Sequence, residues 1–338
     1  MSAEQEKKLT VAQRHAGARL STARQIAGEE AGQDAYLDAI RETPGMPDGD
    51  LPTGYHALRD HMGILRLRVG VRAGKSIATE QYHRGAMKII RPHYLDDSGQ
   101  VYYTLVLPGG GYLGGDDYHM NIAVDPEASL LLSGQAATKV YRTPGDYAQQ
   151  DMNIILGENA VFEYIPDQLI MYRGASYRQH MQVNMHPSAS FLTAEIITPG
   201  WSPEGSDFSY DECTVRTAVS FNGEIKVVDV FCVRPKDETT AGDQLLLREE
   251  NTHIATLTAI DQRIDENMVK HIRDIMNTYV DTAPEPVICG VSSTPNVNGL
   301  SIRALGTRTE DLYGLIIAIA SELRGLLRGQ GKIVLRKY

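Results

Sequence analysis

The chain has 338 residues, of which 42% are hydrophobic, and this is enough for one large core or two smaller ones. Its formal net charge of -10 at pH 7 opposes binding to nucleic acid or to an anionic membrane, because such binding needs clustered Lys and Arg. The charged start and the lack of a long apolar run argue against export and membrane insertion. Three scattered cysteines form neither a disulfide framework nor a metal knuckle, so we expect a cytoplasmic protein with reduced thiols.

The beginning of the chain has a composition that favours no stable core. Residues 2–40 are rich in Ala, Gln, Glu and Arg with scattered apolar positions, which favours only marginal helix. Residues 43–54 combine Pro, Gly and Asp, which end any helix. We therefore expect residues 1–55 to be a mobile N-terminal extension and linker.

From residue 63 onwards the sequence pattern is that of strands. Leu65, Leu67 and Val69 alternate with Arg66 and Arg68, as a half-exposed strand requires. Further β-branched or aromatic runs follow, separated by Gly, Pro, Asp and Asn, at 101–107, 118–124, 128–132, 139–142, 152–156, 160–164, 169–172, 177–185 and 190–197.

Two more strand-like runs, 214–221 and 224–233, flank the dipeptide Asn222-Gly223. This dipeptide favours a two-residue type I′ hairpin, because both residues accept positive φ angles. Strands that recur about every 8 to 12 residues predict an all-β body over residues 63–235. The body is expected to be either a layered sandwich or a solenoid-like stack.

After residue 242 helices are predicted between the strands. The predicted elements are a strand at 254–257, a helix at 264–280, strands at 286–291 and 300–305, and a helix at 309–327. Thr309 is expected to cap the last helix, with Glu310 and Asp311 placing negative charge at its positive end. The fold class is therefore mainly β, with an α+β lobe of order β-α-β-β-α over residues 252–338 packed on the body.

Two glycine-rich segments resemble phosphate-binding loops but lack the required context. Gly109, Gly111 and Gly114 satisfy G-x-G-x-x-G, yet the residues that follow alternate like a strand where a dinucleotide site needs a helix. Residues 70–76 are one residue short of a P-loop, and residues 73–76 are better interpreted as a hairpin turn. Any GTP or ATP used alongside this protein is expected to be bound by a partner.

No catalytic motif and no pair of histidines at a metal-binding spacing can be found in the sequence. We interpret the scattered histidines as surface or core side chains rather than ligands, among them His83, His93, His119, His180 and His186. The sequence therefore predicts a protein that is not an enzyme.

An ordered set of segments does stand out. It consists of 108–116 (PGGGYLGGD), 135–141 (QAATKVY) and 162–167 (FEYIPD), with 91–94 (RPHY) before them and 198–201 (TPGW) after them. In order and spacing these segments resemble the UreD/UreH family of urease accessory proteins, over about residues 63–338. One departure lies at residues 205–208, where Ser206 occupies the position of a Glu expected in that family, with Glu204 and Asp207 as possible substitutes.

The resemblance implies a mostly β protein with stacked strands that binds accessory protein F. Through that partner it would join the GTPase accessory protein G in a complex that docks on apo-urease and passes nickel to it. The implied role is a scaffold and nickel conduit with no tightly bound cofactor. A conduit needs weak oxygen or nitrogen ligands, whereas a dedicated Cys or His cluster would trap the ion, and the sequence shows none.

Three acidic residues of the matched segments, Asp116, Glu163 and Asp167, are the candidates for a transient nickel path. Structural roles are the alternative interpretation. Asp116 could hold the Gly-rich turn through a bond to the backbone, and Lys139 could be the ion-pair partner of Glu163. Gln135 could satisfy buried backbone groups.

The glycines Gly114 and Gly115 belong to the same matched loop and are expected to serve its structure. An alternative function is an all-β module that binds carbohydrate or protein and has no metal role. An exposed aromatic platform near Tyr112, Tyr118 and Trp201 would favour that alternative, whereas an acidic internal tunnel would favour nickel delivery.

Overall fold

The computed structural model describes residues 61–236 and 251–335, so the extension predicted over residues 1–55 lies outside the described part of the chain. The strands are β1 (Gly63–Arg72), β2 (Lys75–Gly85), β3 (Lys88–Ile89), β4 (Val101–Val106), β5 (Asp117–Val124), β6 (Ser129–Gly134), β7 (Thr138–Val140), β8 (Ala148–Leu156), β9 (Val161–Ile165), β10 (Leu169–Met171), β11 (Ser176–Met185), β12 (Ser190–Ile197), β13 (Glu212–Phe221), β14 (Glu224–Val233), β15 (His253–Ile260), β16 (Val287–Ser293) and β17 (Gly299–Gly306). The helices of this part of the chain are α1 (Glu266–Val280) and α2 (Thr309–Arg328).

Most of the strands belong to two sheets. The first sheet has the order β14-β13-β11-β8-β5-β1-β2, and the second has the order β16-β17-β15-β12-β9-β6-β4-β3. β7 and β10 pair with each other off the main path of the second sheet. A large set of buried apolar side chains from both sheets forms one core between them.

The chain winds through the sheets in a repeating order. Each turn starts on the second sheet, crosses a short third side and ends on the first sheet. Two turns have a strand on the third side, and these are β6-β7-β8 and β9-β10-β11. Two others have a single bridge residue there: Tyr112 lies between β4 and β5, and Trp201 lies between β12 and β13. Corresponding strands of successive turns pair in parallel. On the third side, bridges join Tyr112 to Val140 and Tyr172 to Trp201. This arrangement is a β-solenoid.

Equivalent residues of successive turns lie side by side and form the core. One row of the first sheet aligns Ile122, Ile154 and Val183, all of them buried. In the second sheet Phe162 lies in register with Phe191. Burying one such side chain contributes roughly 1.5 to 3 kcal/mol, so these rows hold the turns together.

Antiparallel hairpins flank the parallel strands of the first sheet. The β1–β2 turn places Ala73 and Gly74 at φ 50° and 74°, and the β13–β14 turn places Asn222 and Gly223 at φ 51° and 84°. Both predicted hairpin turns are therefore confirmed. Each hairpin also contains one shift of register typical of a β-bulge.

The two helices and the second sheet share a second core. Asp265 caps α1 by accepting a main-chain hydrogen bond. The cap predicted at Thr309 is wrong, because Arg308 occupies the cap position of α2 and no side chain caps it. Glu310 and Asp311 lie in the first turn of α2, as expected.

The predicted fold class, mainly β with a C-terminal α+β lobe, is confirmed, and the solenoid is the arrangement found. β15 pairs antiparallel with β12 and also with β17, which in turn pairs with β16. The strands of the lobe therefore extend the second sheet of the body. Among the residues described, neither helix combines the length and hydropathy needed to cross a bilayer.

Candidate functional site

The Gly-rich loop before β5 places a buried carboxylate at one end of the inter-sheet core. Asp116 is 2% exposed, and its Oδ2 accepts a hydrogen bond from the main-chain nitrogen of Leu113 at 2.7 Å. Burial, together with the charge and hydrogen bond of Asp116, raises the pKa of Tyr118 well above its ordinary value. Tyr118 stacks on Tyr112, with ring centroids 4.0 Å apart.

Close backbone approach explains the glycines of this loop. Gly111 has φ 154°, and a Cβ there would lie 2.7 Å from the carbonyl oxygen of Lys139. A Cβ at Gly114 would lie 3.1 Å from Cα of Thr143, and Gly115 has φ 84°. Gly109 to Gly115 joins β4 to β5, so the helix that a dinucleotide site needs is not formed there.

A chain of hydrogen bonds crosses the core from this loop. Tyr112 donates through its hydroxyl to Oε1 of Gln150 at 2.5 Å, and Nε2 of Gln150 donates to Oε1 of Gln179 at 3.3 Å. Nε2 of Gln179 then donates to Oε2 of Glu195 at 3.2 Å. Gln150 and Gln179 are both buried. We call this hydrogen-bonded series from Tyr112 to Glu195, together with Asp116 of the adjoining loop, the polar path.

The polar path ends at a cavity between the sheets. Its lining includes Glu195 and Gln179 together with Asp229 of β14, and four threonines contribute hydroxyl groups: Thr193, Thr217, Thr256 and Thr258. Burial raises the pKa of Glu195 to about 7, and the hydrogen bond from Gln179 opposes this shift. Asp229 forms an ion pair with Arg303.

The chemistry of the polar path is that of weak, exchangeable ligation. Carboxylate, amide and hydroxyl oxygens bind divalent cations without the strength of a thiolate or imidazole cluster. A carboxyl group with a pKa of about 7 is close to half ionised at neutral pH, so Glu195 can exchange a proton for a cation.

Glu163 lies on the other face of the second sheet and away from the polar path. Its register neighbours, Leu131 and Leu192, belong to the core shared with the helices. Glu163 pairs with Arg324 of α2 at 2.6 Å and also with Arg328, so the predicted pairing with Lys139 is wrong. Two guanidinium groups therefore contact this carboxylate.

The remaining predicted site residues are dispersed. Asp167 is partly buried, and its Oδ1 accepts a hydrogen bond from the main-chain nitrogen of Gln168 at 2.9 Å. Gln135 has an exposed side chain, so the prediction that it satisfies buried backbone groups is wrong. Lys139 supports the Gly-rich loop through its main chain, since its carbonyl accepts from the nitrogen of Tyr112 at 2.7 Å.

Residues 205–208, which include Ser206 and its possible substitute Asp207, belong to no strand. Ser206 accepts hydrogen bonds from Ser202 and Ser209 through its carbonyl oxygen. Glu204 is exposed and forms an ion pair with Arg173. None of these three positions lines the cavity that ends the polar path.

The structure gathers histidines that the sequence shows far apart. His61, Asp117 and His119 present ligand atoms that all lie within 4.8 Å of one another. The statement that no histidine cluster is present is therefore wrong. The spacing of residues along the sequence does not indicate this group. His61 and Asp117 are 56 positions apart and come together only because β1 pairs with β5.

The aromatic platform required for a carbohydrate-binding or protein-binding module is not formed as expected. Tyr112 and Tyr118 are 0% and 2% exposed and stack on each other inside the core. Trp201 is exposed and packs against Tyr172, with ring centroids 5.0 Å apart. Two of the three expected platform residues are thus core residues, which counts against that alternative.

The sequence did carry one overlooked sign of the polar path. Gln150 stands at an inward position of β8, between buried Ala148 and Met152. Gln179 does the same in β11, between Tyr177 and Met181. A glutamine at an inward position of the alternation in successive turns of a solenoid indicates a buried polar row.

The fold and the site together define a mainly β solenoid protein whose interior holds a carboxyl-containing path of hydrogen-bonding groups. The family model described as UreD urease accessory protein matches residues 61–337. The chain therefore belongs to the UreD family of urease accessory proteins, as its resemblance implied.

Curated relatives agree with this membership. The urease accessory protein UreD of Paenarthrobacter aurescens (strain TC1) is 40% identical over 299 residues, covering 86% of this chain and 99% of the relative. That of Arthrobacter sp. (strain FB24) is 42% identical, covering 82% and 94%, and that of Actinomyces naeslundii is 44% identical, covering 82% and 98%. The chain thus has a non-enzymatic, accessory role in urease maturation, in partnership with the maturation machinery.

Proposed function

We propose that this chain acts in the cytoplasm as a scaffold and nickel conduit. It holds nickel transiently and passes it to apo-urease within a complex that includes accessory protein F and the GTPase accessory protein G. Family membership supports the accessory role in urease maturation. The polar path is the observation that carries the finer role, because its cation-tolerant groups are hydrogen-bonded from Tyr112 to Glu195 through an otherwise apolar core.

The acidic groups at the two ends of the polar path suit the entry and exit of a cation. Asp116 lies at the Gly-rich loop, while Glu195 and Asp229 lie at the cavity. Between them the amides of Gln150 and Gln179 present oxygens in a medium of low polarity. A cation passing such a row meets several weak ligands in succession and no site that retains it.

The narrowness of the cavity constrains how the ion travels. It has room for about one water molecule, which is too little for a fully hydrated cation. We therefore expect nickel to exchange most of its waters for oxygens of the chain, with the sheets parting slightly when the partners bind. The threonine hydroxyls around Glu195 supply such oxygens.

The test replaces the carboxylates at the cavity while keeping their shape. Glu195→Gln and Asp229→Asn are co-expressed with accessory proteins F and G and urease, and nickel in the purified urease is measured by mass spectrometry. Glu224→Gln is the matched control, because Glu224 lies on the same strand as Asp229 but is exposed at its hairpin turn. We expect nickel loading on the order of tenfold lower in the first two variants and unchanged loading in the control.

Retention of accessory protein F in a pull-down separates loss of transport from loss of assembly. Both cavity variants are expected to retain it at the parent level. Full nickel loading in Glu195→Gln and Asp229→Asn, with assembly intact, would show that nickel does not travel along this path.

A further inference from the structure

A second group of ligating side chains lies on the opposite face of the first sheet from the polar path. Successive side chains of a strand point to opposite faces, so Asp117 and His119 point outward where Tyr118 points into the core. The main-chain nitrogen of Met62 donates to the carbonyl oxygen of Asp117 at 2.8 Å. This bond holds His61, at the entry to β1, directly over β5.

The carboxylate of Asp117 lies between the two imidazoles. Its Oδ2 is 3.2 Å from Nδ1 of His61, and its Oδ1 is 3.0 Å from Nε2 of His119. The two rings lie against each other with centroids 4.0 Å apart. Asp117 and His119 are buried, whereas the side chain of His61 is 35% exposed and leaves the group open to solvent.

These distances match the edges of a metal coordination shell. Ligand atoms that each lie about 2.0 to 2.2 Å from one cation, at tetrahedral or octahedral angles, are roughly 3 to 3.6 Å apart. Each histidine has a ring nitrogen at such a distance from an oxygen of Asp117, His61 from Oδ2 and His119 from Oδ1. One ligand atom from each of the three residues can be chosen so that all three lie within 4.8 Å of one another.

A fourth ligand is at hand on the neighbouring strand. Asp151 of β8 stands in register with His119, and its Oδ2 lies 3.8 Å from Nε2 of that histidine. Its other carboxylate oxygen faces Nδ1 of His180 at 3.2 Å. An alternating row of histidines and carboxylates therefore crosses three parallel strands of the outer face.

We propose that His61, Asp117 and His119 bind one divalent cation of the nickel and zinc class on the outer face of the first sheet, with Asp151 or water completing the shell. Two imidazoles and one carboxylate favour borderline transition metals over magnesium or calcium, which prefer oxygen ligands alone. The burial of Asp117 excludes competing water from one side of the ion. This site is separate from the polar path and does not depend on the conduit.

The experiment is titration calorimetry of the purified full-length chain with nickel chloride and, separately, zinc chloride. The variants His61→Gln and His119→Gln each remove one imidazole ligand. His186→Gln is the matched control, because His186 is exposed and its ring bonds to Ser188, two residues away. We expect at least tenfold weaker binding, or loss of one bound ion, in the two site variants and no change in the control.

Two further measurements keep the outcome interpretable. Circular dichroism checks that each variant is folded. His61→Gln is the variant expected to perturb the fold less, because the side chain of His61 is more exposed than that of His119. X-ray absorption of the bound nickel is expected to show two imidazoles in the parent and one in each site variant. Glu224→Gln, at an exposed residue outside both the outer site and the polar path, should bind this ion as the parent does.

The proposal fails if His61→Gln and His119→Gln bind either metal with the stoichiometry and affinity of the parent. It also fails if the parent binds neither metal, or if His186→Gln weakens binding as much as the site variants do. The last result would identify adventitious binding by surface histidines.

Discussion

The substitution Glu163→Gln separates a structural carboxylate from a nickel ligand. Glu163 and Arg324 are each 1% exposed, and Oε2 of Glu163 accepts from Arg324 at 2.6 Å and from Gln100 at 3.0 Å. Arg328 contacts the other carboxylate oxygen. The glutamine keeps the shape of the side chain but removes the negative charge between buried Arg324 and partly buried Arg328.

The expected cost follows from this geometry. Breaking a buried ion pair from one side costs about 3 to 5 kcal/mol, because the remaining charge is left in a medium of low polarity. Asp96, at 3.4 Å from Arg324, offsets part of this loss, and an amide oxygen can still accept one hydrogen bond. We therefore expect the free energy of unfolding to fall by about 3 kcal/mol in Glu163→Gln.

The assay is urea unfolding followed by far-ultraviolet circular dichroism, with linear extrapolation to water. Glu212→Gln is the control, because Glu212 forms a bidentate pair with Arg178 that is partly exposed. The control is expected to lose no more than about 1 kcal/mol. Pairing Glu163→Gln with Arg328→Gln should recover part of the loss, since it removes one unpaired charge.

A loss below about 1 kcal/mol in Glu163→Gln, equal to that of the control, would refute the view that this carboxylate is structural. If the variant were as stable as the parent and yielded urease with less nickel, Glu163 would return as a candidate ligand.

The remaining predictions concern pH and the Gly-rich loop. The pKa of Glu195 is about 7 in the folded chain against an ordinary value of 4.5, so between these values the folded state binds more protons and stability falls as pH rises. Glu195→Gln lacks the ionisable group and should not show this loss of stability with rising pH. Above pH about 7 its free energy of unfolding should exceed that of the parent by up to about 3 kcal/mol, and below pH about 4.5 the two proteins should differ little. Urea unfolding from pH about 5 to about 8 checks this, and equal pH slopes in the two proteins would contradict it. Gly111→Ala should lower the free energy of unfolding by about 2 kcal/mol or more in the same assay at neutral pH, because the added Cβ meets the carbonyl oxygen of Lys139. Gly145→Ala is the control: a Cβ there meets no atom within 4 Å, so this variant tests only the strain of a positive φ. Equal losses in the two glycine variants would show that close approach does not constrain the loop.

The strands could be predicted because their signal is local. Alternation within a run of residues places β11 and β12 almost residue by residue, and Asn222-Gly223 marks its hairpin. The choice between sandwich and solenoid stayed open in the sequence, because it depends on which strands pair. Parallel pairing of β5 with β8, and of β8 with β11, settles it and leaves no trace in any single strand.

The sites were harder to predict because they join distant residues. Glu163 and Arg324 are 161 positions apart, so the sequence motifs favour the nearer Lys139 as the partner of Glu163. Asp116 was found because a loop motif surrounds it, whereas Glu195 sits in a run of apolar residues without any motif. Its importance follows from the hydrogen bond with Gln179 of the facing sheet, which only the packed fold reveals.

The hairpins that flank the first sheet bear on how this protein avoids polymerising. A stack of parallel turns has no intrinsic limit, since each turn presents the same unpaired edge to the next. Here β2 at one end and β14 at the other run against the direction of the parallel strands, and each hairpin carries an irregularity of register that twists the edge. Each end of the first sheet therefore presents a twisted and irregular edge to another copy of the chain. Such ends disfavour open-ended stacking of one copy on the next.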